Sequence, residues 1–575
     1  MGTSERSDGG VFTGIGEWYL HAFIRVPFTR NAAVLSTKQN LMTIGSLGST
    51  EFALHGKPAI RWGDLPQRVG KPESRRYQKV LLLNPSATLF RHDLPRCTYP
   101  LGLGYIAAVL EKYGYEVKIL DVFAEGYYNA QPVDGDEQFL RYGLSDDDIV
   151  KVMKEFGPDV VGISSIFSNQ ADNVHHLLKL ADLVTPEAVT AIGGAHARYF
   201  PKACLDDPNL DAVFLGEGEM TFLLWMEHLN GNVHEDEVHG IAWRDANGKI
   251  QIKPELPLIS SMRPEGPETG KSSPMLSMAG ELDHIPFPAW HHYNMEKYFE
   301  IKAYQSPYTV GSRVGQLYTS RGCTAHCTFC TTTHFWGQKL RRRSVQDVVD
   351  EVLRLRDEYG IDEFHIQDDN ITNDMDHARE LFRAFKEVGL PWATPQGTAL
   401  WRMDEELLDL MAESGAYQVT FAIESGVQRV LKELIKKPLN LERTSHLIKY
   451  ARSLGMHVHG FFIIGMPPMF GNAGESIEEM QASYDYAEEA GFSSASFFAA
   501  SPIVGSELLR ECIRQGFVDP EESLYRMTYK QGIINVPGLW DGEEIAELAA
   551  KFNRDFNARR DRDYTPQKQW NANQY

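Results

Sequence analysis

The sequence predicts an α/β protein, with an N-terminal doubly wound parallel sheet followed by a full or partial (β/α) barrel. Short, near-continuous apolar runs recur along the chain, each followed by enough residues for a crossover helix, as expected of parallel strands buried on both faces. The alternation lapses once, over residues 229–310, and then resumes, which indicates two such units. A length of 575 residues with 43% hydrophobic side chains is enough to bury several cores.

Residues 1–76 carry ten basic and six acidic side chains, against the sign of the whole chain, and their apolar clusters (Trp18, Tyr19, Leu20, Phe23) keep no period. They are expected to form an N-terminal extension wrapping another domain. Residues 77–228 form the Rossmann-like unit: KVLLLNP is a strand stopped by Asn-Pro, and LGLGYIAAVLEKYGY has helical spacing with Gly114 as its stop. EVKILDV, DVVGISS, AVTAIGG and DAVFLGEGE complete five strands. Residues 229–310 read as a connecting segment, with a hairpin turned at Asn247-Gly248 and a Pro-rich stretch, RPEGPETGKSSP, as linker. Residues 311–510 alternate again, from QLYTS through DEFHIQDDN, WATPQGTAL, YQVTFAIES and HVHGFFIIGMP to SASFFAA, as in a (β/α) barrel with its chemistry at the C-terminal strand ends. Residues 511–575 are a partly helical C-terminal segment suited to closing the barrel's open side.

The net charge of −21 disfavours nucleic-acid partners. No apolar run reaches the ~18 residues of a membrane span, and MGTSERSDGG lacks the order of a signal peptide. The expectation is a cytoplasmic protein acting on a small molecule, without nucleic-acid or membrane partners.

Cys323, Cys327 and Cys330 stand in RGCTAHCTFC, directly after a predicted barrel strand, while Cys97, Cys204 and Cys512 are scattered. Three thiolates on one loop can converge on one metal centre and leave a coordination position open. A zinc knuckle completed by His326 or His334 is the alternative, although a structural zinc site belongs in a small domain rather than on a barrel strand end.

The Cys-x-x-x-Cys-x-x-Cys spacing, with aromatic Phe329 before the last cysteine and a barrel following, resembles the radical S-adenosylmethionine (SAM) superfamily. The resemblance implies a [4Fe-4S] cluster on the three cysteines, SAM chelated at the open iron, a 5′-deoxyadenosyl radical, and an external electron donor of flavodoxin or ferredoxin type. It also implies SAM contacts at Phe329, at Gln367, Asp368 and Asp369 (without the family's Gly-Gly-Glu form), at Gln396 and Arg402, at Glu424 and Ser425, and at Gly465 against the adenine.

A five-stranded sheet placed before such a barrel is similar to the cobalamin-binding domain of the B12-dependent radical SAM enzymes, and the two resemblances cover about residues 77–510. The Asp-x-His-x-x-G motif of cobalt-ligating relatives is missing. Either His92 would ligate cobalt from below or Arg91 or Asn84 would pack beneath the corrin, Ser164 and Ser165 would bond the nucleotide tail, Gly193 and Gly194 would open the sheet to it, and Glu217 and Gly218 would line the next turn. A dinucleotide is the rival ligand, but no phosphate-cradling glycine run follows the first strand.

The combination implies a cobalamin-dependent radical SAM methyltransferase. One SAM recharges cobalamin to methylcobalamin, a second makes the radical, and the methyl goes to an unreactive carbon, or to phosphorus, of a small biosynthetic intermediate. Two alternatives are a non-methylating reaction such as oxidative cyclisation and a cobalamin or iron–sulfur sensor without turnover, for which the polar strand ends would be superfluous. The basic run Lys339, Arg341, Arg342 and Arg343 is expected to be mostly structural, with an anionic substrate as the other use, and His334, Phe335 and Trp336 to cover the cluster or pack its loop.

Overall fold

The computed structural model describes residues 62–91, 93, 95–133, 136–255, 281–306, 309–337, 339–519 and 532–560. His92, the Pro-rich stretch, most of the N-terminal extension and the polar C-terminal tail lie outside these residues. Among the described residues no helix is long and apolar enough to cross a membrane.

The first sheet is built around β1 (Lys79–Asn84), whose four inner residues are buried because sheet neighbours and helices cover both faces. The next strand, β2 (Ala87–Phe90), leaves that sheet. The chain returns with β3 (Glu116–Asp121), detours through β4 (Ala130–Val133) and β5 (Asp136–Tyr142), and continues with β6 (Val160–Ser164), β7 (Val189–Gly193), β8 (Ala212–Phe214), β9 (Ile241–Arg244) and β10 (Ile250–Lys253). The spatial order is β10-β9-β8-β7-β6-β1-β3. The five predicted strands are all parallel, in the order second-first-third-fourth-fifth. The direction of winding therefore reverses between β1 and β6, and the crevice beyond Asn84 and Ser164 is where such a sheet takes its ligand.

Two features depart from the sequence expectation. The Asn247-Gly248 hairpin adds antiparallel to β8 and so extends the first sheet. The second departure is β2-β5-β4, a small antiparallel sheet at the crevice end of β1. Its strands are too short and too exposed for alternation to announce them.

The second sheet contains β11 (Val314–Leu317), β14 (Glu363–Ile366), β15 (Trp392–Thr398), β16 (Ala416–Glu424), β17 (His457–Ile464) and β18 (Ser494–Ala499), all parallel and in chain order. This is a partial barrel of six strands. Between β11 and β14, two short strands, β12 (Ser320–Arg321) and β13 (Arg341–Arg342), pair antiparallel and pinch the cysteine loop at its neck. The far edge, β18, is covered by the helix Gly542–Arg560, whose asparagines imitate a further strand. Asn553 exchanges two 2.8 Å hydrogen bonds with the backbone of Phe497, and Asn557 pairs with Ala495 in the same way. Side-chain amides thus satisfy an edge that would otherwise invite intermolecular pairing.

Candidate functional site

The cysteine loop is tied to the barrel from below. Asp368, at the end of β14, accepts 2.6 Å hydrogen bonds from the Thr319 amide and from the Thr319 and Ser320 hydroxyls. At the neck, Gly322 has φ +99°, and a Cβ there would lie 2.7 Å from the Lys339 carbonyl, so only glycine fits the turn. Beyond it Cys323, Cys327 and Cys330 line one cavity of about 420 Å³ at the strand ends. All three thiols are free, and enclosure raises their pKa values, that of Cys327 to about 12. Metal binding must therefore displace protons.

The chemistry of this donor set fits an iron–sulfur cluster better than a single zinc ion. Tetrahedral zinc with 2.3 Å bonds needs sulfurs about 3.8 Å apart. Here the three sulfurs do not all fall within 4.8 Å of one another. His326 and His334 are both exposed and neither lines the cavity, so the zinc knuckle lacks its fourth ligand there.

Five of the residues singled out as SAM contacts line this cavity: Phe329, Gln367, Asp369, Gln396 and Glu424. The Gln396 side chain donates to Gln367 Oε1 at 2.6 Å, and Gln367 Nε2 is buried without a partner among the described residues. Asp369, exposed to the cavity, accepts from the Thr332 hydroxyl at 2.9 Å and is pushed up to about 6 by the protein packed around it. Glu424 sits at a register shift between β16 and β17 with φ +73°, a strained conformation for a residue with a side chain. Its carboxylate meets the ammonium of Lys437 at 2.8 Å, both side chains being under a tenth exposed. Burial alone would lower the Lys437 pKa, but the facing carboxylate outweighs it and the net shift is upward.

Four others are placed elsewhere. Asp368 is spent on the loop tie described above. Arg402 is exposed outside the cavity and, among the described residues, reaches only the Asn373 carbonyl, at 3.5 Å. Ser425 turns its hydroxyl to Ser483 and to the Val427 amide. Gly465 (φ +81°) packs under Ile545, and its amide donates to Glu475 at 2.8 Å. Lys437 and Glu475 were missed in the sequence. Glu475 is fully buried, receives the Gly465 and Met466 amides, and is pushed up to about 8 by burial. Both lie in loops without a periodic signal.

In the crevice of the first sheet the Ser165 hydroxyl is buried without a partner among the described residues. Gly194 has φ +119°, and a Cβ there would sit 2.6 Å from the Ser165 carbonyl. Ser164 and Gly193 end adjacent strands in register. An orphaned hydroxyl beside a backbone that tolerates no side chain is a fitting cradle for a bulky tail. Ile166 and Phe167, next to Ser165, are 50% and 66% exposed, an apolar surface in want of a cover. Asn84 is engaged with Asp121 at 2.9 Å, and Arg91 with the Glu137 carbonyl at 3.0 Å.

Glu217 does not open toward the crevice. It pairs with Arg321 at 2.7 Å and with Arg341, while Glu219 takes the other side of Arg321 at 2.6 Å. Gly218 begins a helix packed so closely that a Cβ would meet Ile106 at 2.6 Å. The rest of the basic run is also paired: Lys339 with Glu281, Arg342 with Asp374, and Arg343 with Asp347 and Glu351. The run's charge is neutralised within the structure, and through Arg341 it joins the cysteine loop to the cobalamin-side Glu217.

The B12 binding domain family matches residues 88–224, and the radical SAM superfamily matches residues 317–487. The chain is 98% identical over 534 residues, 93% of its own length and 100% of the relative's, to the cytidylyl-2-hydroxyethylphosphonate methyltransferase of Streptomyces wedmorensis. The chain belongs to the cobalamin-dependent radical SAM methyltransferase family. The family's cofactors are a [4Fe-4S] cluster, SAM and cobalamin. A more distant relative, an uncharacterised methyltransferase of Pyrococcus horikoshii, is 29% identical over 75% of this chain and 82% of its own. The radical SAM methyltransferase TsrM from Kitasatospora setae, solved with cobalamin and cluster bound, shares the fold with a TM-score of 0.57 at 17% identity, covering 84% of this chain and 82% of that one.

Proposed function

We propose that this methyltransferase acts on cytidylyl-2-hydroxyethylphosphonate, an anionic small molecule, and moves a methyl group from methylcobalamin to an unreactive sp³ carbon of its hydroxyethyl unit by a radical route. The near-identity to the Streptomyces wedmorensis enzyme carries the substrate. The convergence of three thiols with the polar strand ends in one cavity carries the chemistry. A non-methylating cyclase and a sensor without turnover both fit these observations less well. When bound, the cluster and SAM supply a carbon-centred radical able to remove a hydrogen atom, and methylcobalamin supplies the methyl.

The protein's part is to hold and to exclude. Cys323, Cys327 and Cys330 ligate three irons, and the Asp368 tie keeps their loop seated on β11 and β14. Asp369 and Gln367 face the ammonium of SAM, a charge-assisted contact that fixes its orientation. Lys437 holds the Glu424 carboxylate in place, leaving its second oxygen for a hydroxyl of the ribose. Phe329, Phe461, Ile463 and Phe498 form an apolar wall that keeps water from a reactive radical. Ser165 and Gly194 would receive the tail of cobalamin, and the exposed Ile166 and Phe167 would offer it an apolar surface. Electrons come from a flavodoxin- or ferredoxin-type donor, and the protein works in the cytoplasm.

The test is anaerobic. The protein is reconstituted with iron, sulfide and hydroxocobalamin, desalted, and given SAM, a reductant and the cytidylylated phosphonate. Mass spectrometry should find methylated product together with both 5′-deoxyadenosine and S-adenosylhomocysteine. Product with S-adenosylhomocysteine alone would refute the radical route, and loss of corrinoid on desalting would refute the cobalamin site.

A further inference from the structure

Outside the cavity lining, one turn of chain is wedged between the two halves of the protein. On one side the Ala289 amide donates to the Gly104 carbonyl at 3.0 Å, on the helix Leu101–Lys112 of the cobalamin-binding unit. On the other, fully buried Trp290 donates its indole N–H at 3.2 Å to Glu351, on the barrel helix Val345–Tyr359. The turn ends in two histidines, His291 and His292, which reach back over the last turn of the first helix.

There both imidazoles address the same atom. His291 Nε2 is 3.0 Å and His292 Nε2 is 2.8 Å from Glu111 Oε1, and the three ligand atoms all lie within 4.8 Å of one another. Around an ion with 2.0–2.1 Å bonds, tetrahedral ligands stand about 3.3 Å apart, so a few tenths of an ångström of outward movement makes room for one. Two imidazoles and a carboxylate suit a borderline divalent ion, whereas magnesium and calcium prefer all-oxygen sites. His292 and Glu111 are largely covered, with side chains 14% and 30% exposed, while His291 at 53% leaves the outer side open to water.

We propose that Glu111, His291 and His292 bind one zinc-class divalent metal ion, which fastens the connecting turn to the cobalamin-binding unit. The ion would add metal–ligand bonds to a seam that already carries the Ala289–Gly104 and Tyr293–Pro100 hydrogen bonds and the packing of Trp290 and Tyr293 on Tyr99. None of the three residues lines the cavity, so the site is separate from the cluster. One consequence is that iron-loaded preparations should carry iron beyond what the cluster accounts for.

The holoenzyme, with cluster and cobalamin in place, is incubated anaerobically with excess zinc, desalted, and analysed for zinc and iron by mass spectrometry. About one zinc per chain is expected, falling at least tenfold in Glu111→Gln and in His292→Ala, with the cluster's visible absorption retained as the sign of a folded protein. Zinc should also raise the melting temperature of the native protein and of neither variant. Equal zinc in native protein and a folded variant, or none in the native protein, would overturn the proposal.

Discussion

Replacing Glu217 by glutamine should loosen the joint between the cobalamin-binding unit and the cysteine loop by about 3 kcal/mol. The Glu217 carboxylate is the shared partner of two guanidinium groups, those of Arg321 and Arg341, which are 7% and 6% exposed. Burial alone would raise its pKa, but Arg341 and Arg321 outweigh that and hold the carboxyl below the usual range. Removing one member of a buried pair costs about 3–5 kcal/mol, because the other charge stays behind unpaired. Arg321 would keep Glu219 at 2.6 Å, whereas Arg341 has no second ion pair among the described residues. The amide still accepts a hydrogen bond, so the lower end applies, roughly a hundredfold or slightly more in the opening equilibrium. Native-state proteolysis of the holoenzyme at low protease concentration reads this directly, since cleavage then follows the population of the open form. The cleavage rate should rise by about two decades in Glu217→Gln, and much less in a control at the exposed Lys386–Glu413 pair. A rate within about threefold of native, under 1 kcal/mol, would refute the reasoning. Because the folded pKa is depressed, this contribution is present above the ordinary carboxylate value and is lost as pH falls through the lower, folded one.

Three further outcomes are expected. Asp369, pushed up to about 6, is mostly ionised at pH 7 and mostly protonated at pH 5, so SAM binding measured by equilibrium dialysis should weaken roughly tenfold across that interval. Asp369→Asn should flatten the profile, and an unchanged slope would clear Asp369 of that role. Gly194→Val places atoms 2.6 Å from the Ser165 carbonyl at φ +119°, and should abolish corrinoid retention while leaving the cluster spectrum intact. Ser165→Ala removes a buried, unpartnered hydroxyl. It should stabilise the cofactor-free protein by about 1 kcal/mol and weaken corrinoid binding about fivefold, by melting and by titration, because only the ligand satisfies that group. Destabilisation of the cofactor-free protein would count against this.

Much of the architecture is legible because its signals are local. The apolar runs of β1, β3, β6, β7 and β8 stand out, whereas right-handed crossovers only narrow the possible strand orders and the structure supplies the one adopted. The three cysteines are legible for the same reason: thiols spaced by three and two residues, directly after a strand, constrain their own geometry. The short sheet β2-β5-β4 lacked such a signal, and so did Lys437, which reaches Glu424 across thirteen residues of loop and irregular helix. The run Gln367-Asp368-Asp369 shows the limit of pattern reading. Its side chains alternate, with Gln367 and Asp369 toward the cavity and Asp368 toward the loop tie, and nothing in three consecutive polar residues says which parity faces inward.

What the sequence by itself determined, then, is the kind of chemistry: which thiols can share a cluster, which turns can admit a bulky ligand, and that two parallel α/β units carry them. These follow from residue type and near-neighbour spacing. The tertiary structure alone decided which charges serve structure and which face the reaction. Glu217, in a turn expected to line cobalamin, instead meets Arg321 and Arg341, 104 and 124 residues away, and so neutralises one member of the run that had offered itself to an anionic substrate. A charge's role depends on which opposite charge the fold brings within hydrogen-bonding distance, and pairing across so long a separation is a property of the packed chain.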